Sequence, residues 1–234
     1  MKIGILQTGH VPEEIVAKHG EYPAMFERLL SGYGFTFETW AVVDDEFPED
    51  IHNADAWLIT GSRHGAYEDH AFIPPLEDFI RKAYGAEIPI AGICFGHQIL
   101  AQALGGKVIK FPEGWGLGQT AYKTEEAEIE LLALHQDQVV EKPADARVIA
   151  STDFCANAGL AYYGNHGIKA ISFQPHPEFT TEYMRDLIKV RSGVAFSEEQ
   201  GKAALEALEE ENDSPEIARQ LADFFLKAQA SKAA

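Results

Sequence analysis

Short apolar runs alternate with amphipathic stretches along the N-terminal half of the chain. Apolar runs that fit buried strands cover residues 2–7, 35–43 and 56–60, and apolar positions at helical spacing cover residues 22–31 and 74–84. Alternation of strand and helix is typical of a parallel sheet with helices on both faces. We therefore predict an α/β fold with a doubly wound, mostly parallel sheet.

The pattern changes twice further along the chain. Residues 107–150 contain short runs that favour β-structure, which predicts a small antiparallel flank beside the main sheet. Helical spacing then returns in residues 180–190, 197–208 and 214–227, where serines precede the second and third segments as helix-start signals. We therefore expect residues 184–234 to form a helical extension packed on the same domain.

The amino-acid composition argues against some classes of binding partner. The 234 residues carry a net charge of −18, which argues against nucleic acid and anionic membrane surfaces as direct partners. No apolar stretch resembles a signal peptide or a membrane span. Two cysteines do not make a disulfide framework, so we predict a cytoplasmic protein with reduced thiols.

One cysteine lies at a junction of strand and helix. An apolar run ends at Gly92 and Ile93, Cys94 follows, and a helical stretch begins soon after Gly96. This layout is typical of a nucleophile elbow, where a tight turn pushes one side chain out of the sheet. A β-carbon at either glycine could clash in so tight a turn. The motif alone leaves open whether Cys94 is a nucleophile or a buried packing residue.

A second motif follows a later strand-like run, residues 169–173. The sequence there reads Gln-Pro-His-Pro-Glu, and the two prolines favour an extended chain. His176 and Glu178 would then project to the same side, so that the carboxylate can orient the imidazole. Alone, this motif is better interpreted as an edge-strand turn with an incidental histidine. Together with Cys94 it supplies a nucleophile, a base and an orienting acid, which favours an enzyme.

These motifs resemble a known family. Gly-Ile-Cys-Phe-Gly-His-Gln at residues 92–98 and His-Pro-Glu at residues 176–178 are similar to the class I (triad) glutamine amidotransferase domain. The resemblance covers residues 1–183 as the catalytic domain and implies a flavodoxin-like architecture. It also implies the chemistry, in which a Cys94 thiolate attacks the γ-amide of glutamine or another γ-glutamyl compound. The resulting thioester is hydrolysed to glutamate and ammonia or an amine.

The resemblance extends to the oxyanion hole. The strand at residues 56–60 ends in Gly61 and Ser62, where the family places a loop that donates a backbone N–H. The second donor would be the N–H of Phe95. Many family members read Gly-Gly-Pro where this chain reads Gly-Ser-Arg, so the choice between the N–H groups of Gly61 and Ser62 stays open.

Other substrate contacts are implied with less specificity. Gln98 matches the family residue that contacts the substrate glutamine. His135 and Gln136 lie in a stretch similar to the family's His-x-Asp-x-Val, for which a surface turn is the alternative. We expect no cofactor and no metal, because the histidines lack a metal-ligand spacing. The second cysteine, Cys155, has no glycine elbow and is interpreted as a packing residue.

Three functions remain open at this stage. The first is a stand-alone hydrolase of glutamine or a γ-glutamyl peptide, and the second is a glutaminase subunit that delivers ammonia to a separate synthetase, as in two-subunit GMP synthesis. The third is an inactive binding or scaffold protein, which the intact triad disfavours. No phosphate-binding loop is present. The partners we expect are a small-molecule substrate and either a synthetase or a second copy of the chain, which the apolar last helix could bind.

Overall fold

The computed structural model describes residues 1–164 and 167–233, with side chains as far as residue 230. The strands in this part of the chain are β1 (Lys2–Leu6), β2 (Thr36–Trp40), β3 (Ala56–Ile59), β4 (Ile90–Ile93), β5 (Lys107–Lys110), β6 (Gly116–Thr124), β7 (Glu128–His135), β8 (Asp137–Glu141), β9 (Ala146–Ser151), β10 (Gly159–Gly164) and β11 (Gly167–Phe173). The helices are α1 (Glu13–His19), α2 (Tyr22–Leu29), α3 (Ile73–Gly85), α4 (Phe95–Ala103), α5 (Thr181–Arg191), α6 (Glu198–Glu206) and α7 (Ser214–Ala233), with a short 3₁₀ turn at Val42–Asp44.

The main sheet has nine strands in the order β2-β1-β3-β4-β11-β10-β9-β6-β7. The first five are parallel to one another, and the remaining pairings are antiparallel. A separate antiparallel pair joins β5 to β8. The predicted α/β class is confirmed, but the antiparallel flank is larger than the small one expected. Strand β10, which the sequence pattern did not reveal, connects the parallel half to that flank.

The two faces of the sheet are covered by different helices. On β3, Trp57 and Ile59 pack in one cluster with side chains of α3 and α4. Ala56 and Leu58 alternate with them and pack in another cluster with α2 and α7. Successive side chains of a strand point to opposite faces, so a strand buried on both faces reads as a continuous apolar run. This explains why the central strands could be located from the sequence.

The register of the parallel strands places the ends of β3, β4 and β11 side by side at one edge of the sheet. Ile59 of β3 and Ser172 of β11 are both paired with Gly92 of β4, so these parallel neighbours end side by side. The residues that follow them therefore emerge together. In open α/β sheets, ligands bind at such carboxyl ends.

The C-terminal helices pack on the same body. Asp186 of α5 forms ion pairs with Lys18 and His19 of α1, a helix that the sequence analysis did not predict. Leu221 and Phe225 of α7 are fully buried against the sheet. The apolar side of this last helix is thus covered by the chain itself. In the described part of the protein, no helix is both long and apolar enough to cross a membrane.

Candidate active site

Cys94 lies in a strained turn between β4 and α4. Its φ of 54° and ψ of −104° place a non-glycine residue at positive φ, a conformation that costs on the order of 1–3 kcal/mol and is concentrated at functional sites. A β-carbon on Gly92 would collide with the carbonyl of Gly96, and one on Gly96 would collide with the carbonyl of Ile59. The expected steric need for both glycines is therefore confirmed.

His176 and Glu178 lie beside the cysteine as a buried pair. The Nδ1 atom of His176 is 2.8 Å from Oε1 of Glu178, and the ring lies beside Cys94 on the wall of one cavity. The imidazole stacks on Phe179 with a centroid distance of 4.0 Å and an interplanar angle of 5°. The backbone N–H of His176 donates to the carbonyl of Leu132, which fixes the segment to β7. The structure thus joins thiol, imidazole and carboxylate in one line.

The electrostatics of this line favour a charged imidazole. Burial alone lowers the pKa of His176, but the Cys94 and Glu178 charges and the hydrogen bonds to both outweigh burial and raise it to about 10. The imidazolium form is therefore favoured at neutral pH when it faces a thiolate and a carboxylate. A thiolate beside an imidazolium can act as a nucleophile and its proton donor.

The backbone N–H groups expected at the oxyanion hole are available. Those of Gly61, Ser62 and Phe95 make no hydrogen bond to any residue that the structure describes. Gly61 is so close to the site that a β-carbon on it would lie 3.0 Å from Cε1 of His176 and 3.6 Å from Cβ of Cys94. The assignment of these donors to an oxyanion stays a prediction, as does the choice between Gly61 and Ser62.

Gln98 and a residue not assigned from the sequence form an amide chain beside the nucleophile. The Nε2 group of Gln98 donates to the carbonyl of Asp137 at 3.0 Å and to Oε1 of Gln174 at 3.2 Å. The amide of Gln174 in turn donates to the Cys94 sulfur at 3.7 Å. Its position two residues before His176 in an extended segment was the available signal for this contact.

The predicted site residues line one cavity of about 340 Å³. The members of the expected set on its wall are Gly61, Ser62, Cys94, Gln98, His135, Gln136 and His176. The side chain of Phe95 is in the core instead, so only its N–H can serve the site. Glu178 lies behind His176 as its hydrogen-bond partner. His135 is only 4% exposed, which does not fit a surface turn.

The neighbouring polar groups are mostly held in place by the backbone. Burial lowers the pKa of His135 to about 4, so its ring is neutral, and its Nδ1 lies 3.3 Å from the carbonyl oxygen of Asp137. The Gln136 amide donates to the carbonyl of Phe111 at 3.3 Å. These contacts fix the shape of the wall around Cys94.

Two other residues with chemically capable side chains do not line this cavity. Cys155 is buried in the core, and burial raises the pKa of its thiol to about 12. His97 is fully buried, its Nδ1 lies 2.8 Å from the Ser172 hydroxyl, and burial lowers its pKa to about 3. Cys155 therefore packs as predicted, and His97 is a neutral core residue.

A histidine-carboxylate cluster lies on the loop after β3. His64, Glu68 and His70 place potential ligand atoms within 4.8 Å of one another, and Nε2 of His70 is 2.8 Å from Oε2 of Glu68. These residue types could hold a divalent transition metal, and their sequence spacing did not predict the cluster. The Glu68 carboxylate also accepts a hydrogen bond from the Gly65 N–H. Hydrogen bonds within the loop therefore account for the arrangement of the three side chains.

The fold and site define a class of protein. The model of the class I glutamine amidotransferase family matches residues 26–189, and the chain belongs to this family. Among solved structures, a glutamine amidotransferase from Thermotoga maritima has the same fold, with a TM-score of 0.73 over 96% of each chain and 22% identity.

Relatives among characterised and named proteins fall into more than one group. A Schizosaccharomyces pombe protein named as glutamine amidotransferase-like is 32% identical over 96% of this chain and 98% of its own. Gamma-glutamyl peptidase 4 of Arabidopsis thaliana is 30% identical, with 94% of each chain covered. A GMP synthase of Vibrio campbellii is 30% identical over 68% of this chain but only 31% of its own length.

Glu178→Gln is expected to reduce kcat/KM by about 10³- to 10⁴-fold, because the neutral amide no longer stabilises the imidazolium. The Glu178 charge is one cause of the raised pKa of His176, so its loss moves that pKa down from about 10. Leaving-group protonation requires the imidazolium, so the alkaline limb of the pH–rate profile shifts to lower pH. A profile of kcat/KM against pH checks both effects. An unchanged kcat/KM and an unshifted alkaline limb in Glu178→Gln would contradict the role given to Glu178.

Proposed function

We propose that this protein is a stand-alone glutamine amidotransferase-type hydrolase that cleaves the γ-amide of glutamine or of a γ-glutamyl compound. Residues 1–183 would form the catalytic domain, and residues 184–234 would form the helical extension on it. The products are glutamate and ammonia or an amine. One observation carries the proposal. Cys94 and His176 are buried side by side on the wall of a cavity, and the Glu178 carboxylate is hydrogen bonded to the His176 imidazole behind them.

The first half-reaction follows from this geometry. The Cys94 sulfur attacks the γ-carbonyl carbon, and a C–S bond forms as the carbonyl π electrons move to oxygen. The N–H of Phe95 and one from Gly61 or Ser62 stabilise that oxyanion, each donor contributing on the order of 10²–10³ in rate. His176 gives its proton to the leaving nitrogen as the C–N bond breaks. The product on the enzyme is a γ-glutamyl thioester.

The second half-reaction regenerates the site. Neutral His176 takes a proton from water, whose oxygen attacks the thioester carbon. The C–S bond breaks, which returns the thiolate and releases glutamate. Glu178 keeps the ring oriented by accepting a hydrogen bond from Nδ1 throughout. Gln98, His135 and Gln136 supply polar contacts around the γ-glutamyl group.

The alternative function is a glutaminase subunit that supplies ammonia to a separate synthetase. The observation that favours it is the similarity to GMP synthase, of which this chain matches less than a third. The extent of the sequence match favours the stand-alone hydrolase, because the similarity to gamma-glutamyl peptidase 4 extends over nearly the whole of both chains. The inactive scaffold is disfavoured by the intact triad.

A substrate panel tests the proposal. The purified chain is assayed for release of ammonia or amine from glutamine and from a series of γ-glutamyl dipeptides, with and without a GMP-synthase-type ATP-dependent synthetase domain. We expect turnover of at least one γ-glutamyl amide without the added domain. Turnover that requires the added domain would support the ammonia-supplying subunit. No turnover of any substrate under either condition would contradict both enzymatic functions.

A further inference from the structure

The proposed mechanism identifies the side of the cavity that would hold the leaving group. His176 protonates the leaving nitrogen, so the leaving group must lie on the side of the cavity next to that ring. The ring stacks on Phe179, which in turn stacks on Tyr22 with a centroid distance of 6.2 Å. Both aromatic residues line the cavity. They mark the leaving-group side of the cavity.

A cation without a partner lies on that side. Four Lys or Arg side chains, Arg63, Lys82, Lys110 and Arg191, make no ion pair, hydrogen bond or ring contact with another described residue. All except Lys82 line the catalytic cavity. In a chain with 37 acidic residues and 19 basic ones, partners are abundant elsewhere. Glu68 and Asp137 line the same cavity but form no ion pair with these cations in the described structure, so the cations are free to bind an anionic ligand.

Arg191 is the member of this group on the His176 side, because Tyr183 of the same helix packs on Phe179 with a ring-centroid distance of 4.5 Å and lies within 3.5 Å of the Tyr22 hydroxyl. In agreement, the Arg191 charge opposes the rise that burial produces in the pKa of Tyr22, to about 12. The Lys110 charge instead acts on Asp137, whose backbone carbonyl binds Gln98. Arg191 ends α5 and is half-buried, so its guanidinium is held near the cavity.

Apolar side chains accompany Arg191. Leu187 lies one turn before it on α5, and Val194 and Ala195 follow it, all three on the cavity wall. Val194 is 80% exposed, so it offers apolar surface that a ligand can cover. Ammonia, the leaving group of glutamine, has no substituent that could use either this apolar surface or the guanidinium.

The position of these residues in the chain supports a specific role. The class I family model matches residues 26–189, so Arg191, Val194 and Ala195 lie just beyond it, although full-length relatives match 94–96% of this chain. Cys94, His176 and the Gly61 loop all lie within the matched range. The residues around Arg191 and the triad therefore belong to different segments of the chain.

We infer that Arg191 and the apolar residues around it form a subsite for an amino-acid leaving group, with the guanidinium binding the carboxylate and Leu187, Val194 and Ala195 contacting an apolar side chain. The substrate class is then a γ-glutamyl amino acid or peptide with a free carboxylate rather than glutamine. This inference rests on the proposed hydrolase function. It assigns to the C-terminal segment the choice of substrate and leaves the chemistry to Cys94 and His176.

Three matched substrates test the subsite: γ-glutamyl-valine, its C-terminal amide and glutamine. We expect kcat/KM for the free acid to exceed that for its amide by about 10-fold, the effect of one charge-assisted contact, and to exceed that for glutamine by more. In Arg191→Gln the ratio of acid to amide falls to about one. The ratio is measured within one protein preparation, so partial unfolding cancels.

The control is Arg185→Gln on the same helix, whose guanidinium pairs with Glu210 at 3.1 Å on the surface. It should keep the wild-type ratio of acid to amide. Equal rates on acid and amide in the wild type, an unchanged ratio in Arg191→Gln, or a preference for glutamine would each overturn the subsite while the hydrolase function stands. Failure to hydrolyse any of the three substrates, together with no turnover across the wider γ-glutamyl panel under either condition, would overturn the function itself.

Discussion

Cys94→Ala is expected to lower hydrolysis of every γ-glutamyl substrate by at least about 10⁴-fold, because removing a nucleophile leaves only binding and oxyanion contributions to the rate. The fold should survive, since alanine adds no atoms to a site where cysteine already adopts a φ of 54°. Circular dichroism and thermal unfolding check the fold, and amine release checks the activity.

The chain offers a matched control for this variant in its second thiol. Cys155→Ala removes a buried sulfur from the core and should lower stability by about 1 kcal/mol with kcat/KM changed by less than a few-fold. If both variants retained activity, or if Cys155→Ala were the inactive one, the assignment of Cys94 as nucleophile would be wrong.

His176→Gln is expected to reduce kcat/KM by about 10⁴-fold or more, because both the base and the proton donor are lost. The imidazolium also stabilises the thiolate, so the rate of Cys94 alkylation by iodoacetamide near pH 6 should fall well below that of the wild type. The alkylation rate is independent of any substrate. It therefore tests the ion pair even before the physiological substrate is known.

Stability complicates this variant, because it leaves the Glu178 carboxylate buried without its partner. The double variant His176→Gln with Glu178→Gln removes that charge and should unfold at a higher temperature than the single one. In both variants, iodoacetamide should alkylate Cys94 slowly at pH 6. Alkylation as fast as that of the wild type in a folded double variant would contradict the thiolate–imidazolium pair.

The proximity of Cys94, His176 and Glu178 could be predicted from the sequence because the geometry of each motif is local. The Cys94 turn needs Gly92 and Gly96 within two residues on either side, and the extended Pro-His-Pro-Glu segment sets His176 beside Glu178. Parallel strands then bring the two motifs together at one sheet edge. Placing the two motifs together required only the strand order and the rule that ligands bind at the carboxyl ends of parallel strands.

Features that depend on tertiary contacts were at most weakly signalled in the sequence. The contact between Gln174 and the Cys94 sulfur depends on how β11 is seated beside β4. The fates of His97 and His135 differ although both lie in motif segments, because only His135 lines the cavity. The place of Arg191 follows from the docking of α5 on α1, a helix that the pattern did not predict.

Trapping the acyl-enzyme tests the central claim most directly. The wild type is mixed with a substrate that it hydrolyses, quenched with acid over a time course, and digested for mass spectrometry. We predict that the peptide containing Cys94 gains the mass of one γ-glutamyl group during turnover, while the peptide containing Cys155 does not. Turnover with no adduct on Cys94 at any quench time, together with undiminished release by Cys94→Ala, would contradict the thioester mechanism.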